Sequence, residues 1–251
     1  MVLERSYPIQ SQQTEVVYPE SDGLPMAENT KQYDWITLIK GNIDIIFAAD
    51  PNVFVAGDLF WYPVEGHPEI RQAPDVMVVF GRPKGHRGSY LQWREENIAP
   101  QVVFEILSPG NTVVEMNRKF RFYEQYGVEE YYLYDPDTGD LQGWRRLVDH
   151  LISIPEMDGW VSPRLGVRFV LSADGLVLYQ PDGDPFLGFV ELAELAEQAE
   201  ELAERARVRA EQAEERAEQA EERAEQAEER AARLAARLRE LGVDPDANGT
   251  A

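Results

Sequence analysis

Two acidic residues stand where chemistry is easiest to imagine. Asp75 follows Pro74 and opens the apolar run "DVMVVFG", and Glu105 sits in the middle of "QVVFEIL". Taking a carboxylate out of water costs on the order of several kcal/mol unless something compensates it. If the two runs are neighbouring strands of one sheet, both acids can converge on one side. Neither has an Arg or Lys beside it in sequence. Converging carboxylates of this kind suit a hard divalent cation, Mg2+ or Mn2+, with the backbone carbonyl of Ile106 as a further oxygen ligand. Such a cation polarises a phosphoryl oxygen and generates hydroxide from bound water near neutral pH.

A cationic side chain would help position that water. Strand residues two apart share a face, so the neighbour of Glu105 on its own face is Leu107, which cannot serve. Lys119 lies on the helix expected next and is long enough to reach back over the strand end. Simpler roles compete: Asp75 as a turn cap after Pro74, and Lys119 as the i,i+4 partner of Glu115. Asp58, in "VAGDLFWYP", interrupts another apolar stretch and is a further candidate acid for the metal site. His67, His86 and His150 have no metal-ligand spacing, and no GxxxxGK[ST], GxSxG or HExxH motif occurs.

The elements that must position these residues follow from periodicity. Tyr33, Ile36, Leu38, Ile39, Ile43, Ile46 and Phe47 recur mostly at helical spacing, predicting a first helix capped by Asn29 or Thr30 and stopped by Asp50-Pro51. "VFVAGDLFWYPV", "DVMVVFG" and "QVVFEIL" read as strands. A helix over 113–126 follows, with Asn111 or Thr112 as cap and Gly127 as the terminating glycine. "EEYYLYDP" is another strand, and hairpins complete the body near Leu187. The order predicts a mixed α/β layer.

Between the second and third strands, Gly81 to Asn97 reads as a long loop carrying Lys84, Arg87 and Arg94 among Tyr90 and Trp93. Basic and aromatic groups together can hold phosphates and stack a base, so these three cations are candidate DNA contacts, against a plain solvated excursion. The whole chain does not look like a DNA-binding protein. Its formal net charge is −22, so nucleic acid would need a local basic patch or bridging cations.

Taken together, Pro74-Asp75, the strand Glu105-Ile106-Leu107-Ser108-Pro109, Lys119 and "YGVEEYYLYDP" resemble the Uma-type family of restriction endonucleases, within the PD-(D/E)xK nuclease superfamily. The resemblance covers about residues 30 to 190. It implies a restriction-endonuclease-like core that hydrolyses DNA phosphodiester bonds with Mg2+. Asp75 and Glu105 match the metal-binding acids. Leu107 departs from the superfamily's usual lysine, and Lys119 fits the migrated lysine of such families. The alternative is a catalytically inactive nuclease-like module for binding or assembly.

Beyond Phe189 the composition changes. Three copies of AEQAEER fill Ala210 to Arg230, and the register extends from Phe189 to Leu241 with Ala, Leu and Phe at two heptad positions. This is a coiled-coil seam that would join copies of the chain, against a lone helix held by Glu–Arg pairs. The expected divisions are an extended arm over 1–28, the nuclease-like domain over 29–188, the coiled coil over 189–242 and a disordered tail over 243–251. With 251 residues, 43% hydrophobic, the chain can fold a sizeable core. The absence of cysteine points to a reducing interior. The first ten residues lack a signal-peptide core, and no run of about 18 apolar residues could span a membrane. A soluble cytoplasmic protein is the expectation.

Overall fold

The computed structural model describes residues 16–21, 23, 27, 29–173 and 175–241. Most of the expected arm and all of the expected tail lie outside these. The chain divides into two units, with the boundary after Phe189.

The first unit is built on a six-stranded mixed sheet. Helix α1 (Thr30–Ile46) precedes strands β1 (Val53–Gly57), β2 (Trp61–Tyr62), β3 (Val76–Phe80), β4 (Tyr90–Leu91) and β5 (Val102–Ile106). Helix α2 (Val113–Tyr126) then leads to β6 (Glu130–Tyr134), β7 (Leu141–Leu147), β8 (His150–Ser153), β9 (Arg168–Ser172) and β10 (Gly175–Tyr179). The main sheet has the order β1-β3-β5-β6-β7-β8. Its one parallel pair is β5 with β6, the pair joined by α2, as a parallel crossover requires. β9 and β10 form a separate hairpin, and β2 pairs with β4 in parallel.

Local chemistry sets the ends of the helices. Asn29 Oδ1 accepts from Gln32 N at 2.8 Å and starts α1. Thr112 Oγ1 accepts from Glu115 N at 3.2 Å and starts α2. Gly127 ends α2 in the left-handed region at φ 98°, which glycine adopts without a Cβ clash. Two sequence expectations are refined. The stretch "VFVAGDLFWYPV" is two strands, broken at Asp58 with φ 47°. The segment Gly81 to Asn97 is more ordered than a loop: it holds β4 and a 3-10 turn over Gln92–Arg94, and Tyr90 is fully buried.

Alternation along the strands divides the core. Val102, Phe104 and Ile106 pack with Ile36, Ile39 and Ile43 of α1, whereas Val103 packs with Tyr123 of α2 and Tyr131. The sheet therefore has an α1 face and an α2 face.

The second unit is a single helix, α3 (Phe189–Glu240), of 52 residues with none buried. At 1.5 Å per residue it is about 80 Å long. Ion pairs such as Arg205–Glu201 and Arg233–Glu229 link successive turns along it.

Candidate active site

The pairing of β3 with β5 fixes the site. The antiparallel register sets Val76 against Phe104, and one further step in the same register sets Asp75 opposite Glu105. Both then belong to the α2 face, since Val76 and Phe104 point to the α1 face. The sheet thus supplies two acids at the ends of adjacent strands. Helix α2 covers them, and its two buried residues, Lys119 and Tyr123, lie one turn apart on the side facing the sheet.

Lys119 and Tyr123 both meet Glu105, and Asp75 lies within electrostatic reach of Glu105 and Lys119. Lys119 Nζ donates to Glu105 Oε2 at 2.7 Å. The Tyr123 hydroxyl donates to Glu105 Oε1. Asp75 Oδ2 accepts from the Ile106 backbone N–H at 2.6 Å, which ties the carboxylate of one strand to the backbone of the other. The Ile106 carbonyl accepts from Gln32 Nε2 of α1 at 3.0 Å. Glu105 is only 1% exposed, Asp75 7% and Lys119 9%.

Burial governs the charges here. Desolvation, followed by the neighbouring charge of Glu105, holds the Asp75 carboxyl well above the usual carboxylate range, although Lys119 and the Ile106 N–H pull the other way. Burial alone would pull Lys119 down, but the charges of Glu105 and Asp75 outweigh it and raise it above the ordinary lysine value. Lys119 is therefore a cation at neutral pH, suited to donating hydrogen bonds and holding negative charge rather than to abstracting a proton. Burial and then Glu105 push the Tyr123 phenol well up, so it remains a donor.

The other sequence candidates are placed as follows. Leu107 lies just beyond β5, where its N–H donates to the Tyr134 carbonyl at 2.8 Å. Asp58 is exposed at the break between β1 and β2; its N–H donates to the Pro74 carbonyl at 3.1 Å, and its charge reaches Asp75. Among the described residues, however, no group of three or more His, Cys, Asp and Glu side chains is arranged to hold a metal. Lys84 donates to the Phe47 carbonyl at 2.8 Å. Arg87 pairs with Glu95 at 2.7 Å and lies over the Phe54 ring. Arg94 is exposed. Lys84 and Arg87 line a groove beside β1 together with Lys40 and Asp44.

Three functional candidates escaped the sequence reading. Tyr123 was legible in principle, since it lies at i+4 from Lys119. Gln32 reads as an ordinary polar helix residue, and nothing local says that it is buried. Tyr131 lies within a run of aromatics in "EEYYLYDP". Its hydroxyl is the one buried side-chain polar atom among the described residues that has no hydrogen-bond partner, and Glu105 and Asp75 both raise its phenol further after burial.

A mixed sheet with two acids opposed on adjacent strands, and a lysine returned from the crossover helix, is the arrangement that the sequence resemblance leads one to expect. The family model Uma2, described as "Putative restriction endonuclease", matches residues 27–172. That is more than half of the chain, and the protein belongs to this family. The crystal structure of "a putative nuclease belonging to DUF820 from Anabaena variabilis" is similar at 18% identity with a TM-score of 0.40, over 55% of this chain and 74% of that one. No curated protein matches the chain. Among the described residues, no helix is long and apolar enough to cross a membrane.

Proposed function

We propose that the protein is a divalent-metal-dependent endonuclease acting on DNA, with Asp75, Glu105 and Lys119 as its working side chains. The observation that carries this reading is the clustering of two opposed carboxylates with a buried lysine that holds one of them, near the end of β5. Membership of a restriction endonuclease family supports the reaction class.

The donor set suits a hard cation. Asp75 and Glu105 offer carboxylate oxygens, and the Ile106 carbonyl, held by Gln32, keeps a second lone pair; Mg2+ or Mn2+ takes such oxygens and fills its remaining positions with water and phosphate. The partnerless Tyr131 hydroxyl beside the acids also fits a site completed by an ordered water. Asp58 is left as a more distant acid that adds negative potential. The bound cation would polarise the phosphoryl group and lower the pKa of its water.

The chain's own groups do the rest. Tyr123 and Lys119 fix the two oxygens of Glu105, so the carboxylate cannot rotate away from Asp75. The Ile106 N–H does the same for Asp75 Oδ2. Lys119 donates one N–H to Glu105, leaving two for a phosphoryl oxygen or an attacking water. A preorganised cation of this kind stabilises the charge that grows on the phosphorane-like transition state. Covered by α2, the site has the low local dielectric in which that stabilisation is largest.

We further infer that α3 joins nuclease heads through its alanine seam, which suits the cutting of two strands. Alanine buries little area, so the helices must approach closely to associate. Sedimentation of the chain with and without residues 189–251 tests this: the full chain is expected to carry more chains per particle, and equal numbers in the two would refute it.

A second reading, a nuclease-like module without catalysis, is favoured by Leu107 in place of a lysine and by Glu105 having both oxygens already engaged. Plasmid nicking in Mg2+ or Mn2+ separates the two. The enzyme reading requires nicking by the wild type that Glu105→Ala abolishes.

A further inference from the structure

A groove of about 500 Å3 runs along the outside of α2, lined among others by Ile70, Arg118, Arg121, Phe122 and Tyr126. A second hollow shares Ile70, Arg118 and Phe122 with it and adds Arg71, making one continuous surface. Val114, Arg118, Arg121 and Gln125 recur at four, three and four residues and so form one helical stripe. Lys119 and Tyr123 of the same helix face the sheet instead. The walls of the groove are thus the same two stretches that deliver the site: α2, which carries Lys119, and the segment four residues before Asp75, which carries Arg71.

What sets this surface apart is that its cations are gathered together without a carboxylate pairing them among the described residues, whereas Arg94, Arg145 and Arg168 are exposed singly. Arg82 and Arg87 are neutralised by Glu95 and Glu96, and Arg164 by Glu129. Arg146 is engaged with the carbonyls of Tyr123, Glu124 and Val128. Arg118 and Arg121 are exposed and form no ion pair among the described residues. Arg71 donates to the Pro68 carbonyl and lies over Phe60, but no carboxylate pairs with it among the described residues. The one acid lining the surface, Glu69, is hydrogen-bonded to His67 Nδ1 at 2.9 Å. On a chain of net charge −22, three arginines gathered on one surface select an anionic partner, and their spread along a helix suits a polymer of anions.

We propose that this groove holds the sugar-phosphate backbone of duplex DNA, with Arg118 and Arg121 on phosphates of one strand and Arg71 adding positive charge at the groove's edge. The proposal rests on the nuclease reading for its choice of polyanion. Three residues apart on a helix, Arg118 and Arg121 are separated by about 4.5 Å along the axis, and their long side chains can splay onto neighbouring phosphates. The half-buried rings of Phe122 and Tyr126 form a rigid floor, 4.7 Å apart and packed against Trp61.

The test is fluorescence anisotropy of a labelled DNA duplex with the full chain in EDTA, between about 50 and 200 mM salt. The double variant R118A/R121A should bind about tenfold more weakly or worse at the low end, and its log K against log salt should be shallower by about 1.8, the value for two lost phosphate contacts. R118K/R121K should keep the wild-type slope, and Arg145→Ala, on β7, should change neither quantity. An unchanged slope and affinity in R118A/R121A overturns the proposal. So does a wild type that binds anionic phospholipid vesicles but no DNA. Plasmid nicking, run in parallel, separates this claim from the one beneath it. If the wild type nicks while R118A/R121A binds normally, the groove assignment falls and the nuclease stands. If R118A/R121A loses binding while the wild type never nicks, the groove stands and the nuclease falls.

Discussion

Glu105 and Glu130 lie on adjacent parallel strands, are both nearly inaccessible, and are held in opposite ways. Glu130 belongs to the α1 face of the sheet. Its Oε2 accepts from Tyr132 at 2.9 Å and from the Ser162 hydroxyl, and its Oε1 accepts from the Arg164 backbone N–H at 2.8 Å. The Arg164 guanidinium pairs with Glu129 instead. Every partner of Glu130 is neutral, and together they tie β6 to the chain around Ser162. Glu105 faces a second carboxylate, a lysine and a tyrosine, and a partnerless hydroxyl lies nearby. Glu130 is complete within the protein and serves as a structural staple. The Glu105 cluster concentrates two acids and a cation in one buried place, the arrangement on which the proposed nuclease site rests.

The largest expected effect is at Lys119. Lys119→Met removes the cation from a pair whose side chains are 11% and 2% exposed and leaves Glu105 buried without it. Breaking such a pair costs about 3–5 kcal/mol, readable as a lowered denaturant midpoint, and nicking should fall by a factor of about 100 or more. A Met variant that nicks like the wild type would put Lys119 in the same structural class as the partners of Glu130.

Tyr123→Phe comes next. Losing a hydrogen bond to a charged group costs about 1.5–3 kcal/mol, and a freed Glu105 should weaken metal binding measured by calorimetry. A Phe variant that keeps full metal affinity would show that Tyr123 supports the fold and does not position Glu105.

Smaller still is Ser162→Ala, expected to cost about 1–2 kcal/mol of stability with nicking unchanged. Lost nicking in a folded Ser162→Ala protein would erase the distinction between the two glutamates.

A pH series sharpens the comparison further. Burial raises Glu130 above its ordinary value of 4.5, against the lowering effect of Ser162, Tyr132 and the Arg164 N–H. A raised carboxyl binds its proton more tightly in the folded state, so the stability it contributes is present below about 4.5 and is lost as pH rises through the raised value. The wild type's advantage over Glu130→Gln in thermal melts should therefore shrink as pH rises from about 4 toward neutrality. A constant or growing advantage would contradict the assignment.

Much of this was legible in sequence because it is periodic. The strand alternation that puts Glu105 on the face of Val103 and the helix spacing around Lys119 need only local pattern. The convergence of Asp75 with Glu105 required the strand pairing, which the paired apolar runs suggested and the register of β3 with β5 makes specific. Gln32 was not legible: its partner, the Ile106 carbonyl, lies 74 residues away, and no local pattern encodes such a contact. The basic residues were the hardest to read. Lys84, Arg87 and Arg94 looked like one patch because they are close in sequence, yet Glu95 and Glu96 sit in the same segment and neutralise Arg82 and Arg87. Arg71, Arg118 and Arg121 are far apart in sequence and become one surface only when the segment before β3 meets α2.

The most direct measurement is plasmid nicking in Mg2+ and in Mn2+ by the wild type, Glu105→Gln and Glu130→Gln at matched folded concentration. The expected result is nicking by the wild type and by Glu130→Gln, with none by Glu105→Gln. Equal nicking by Glu105→Gln and the wild type would contradict the central claim.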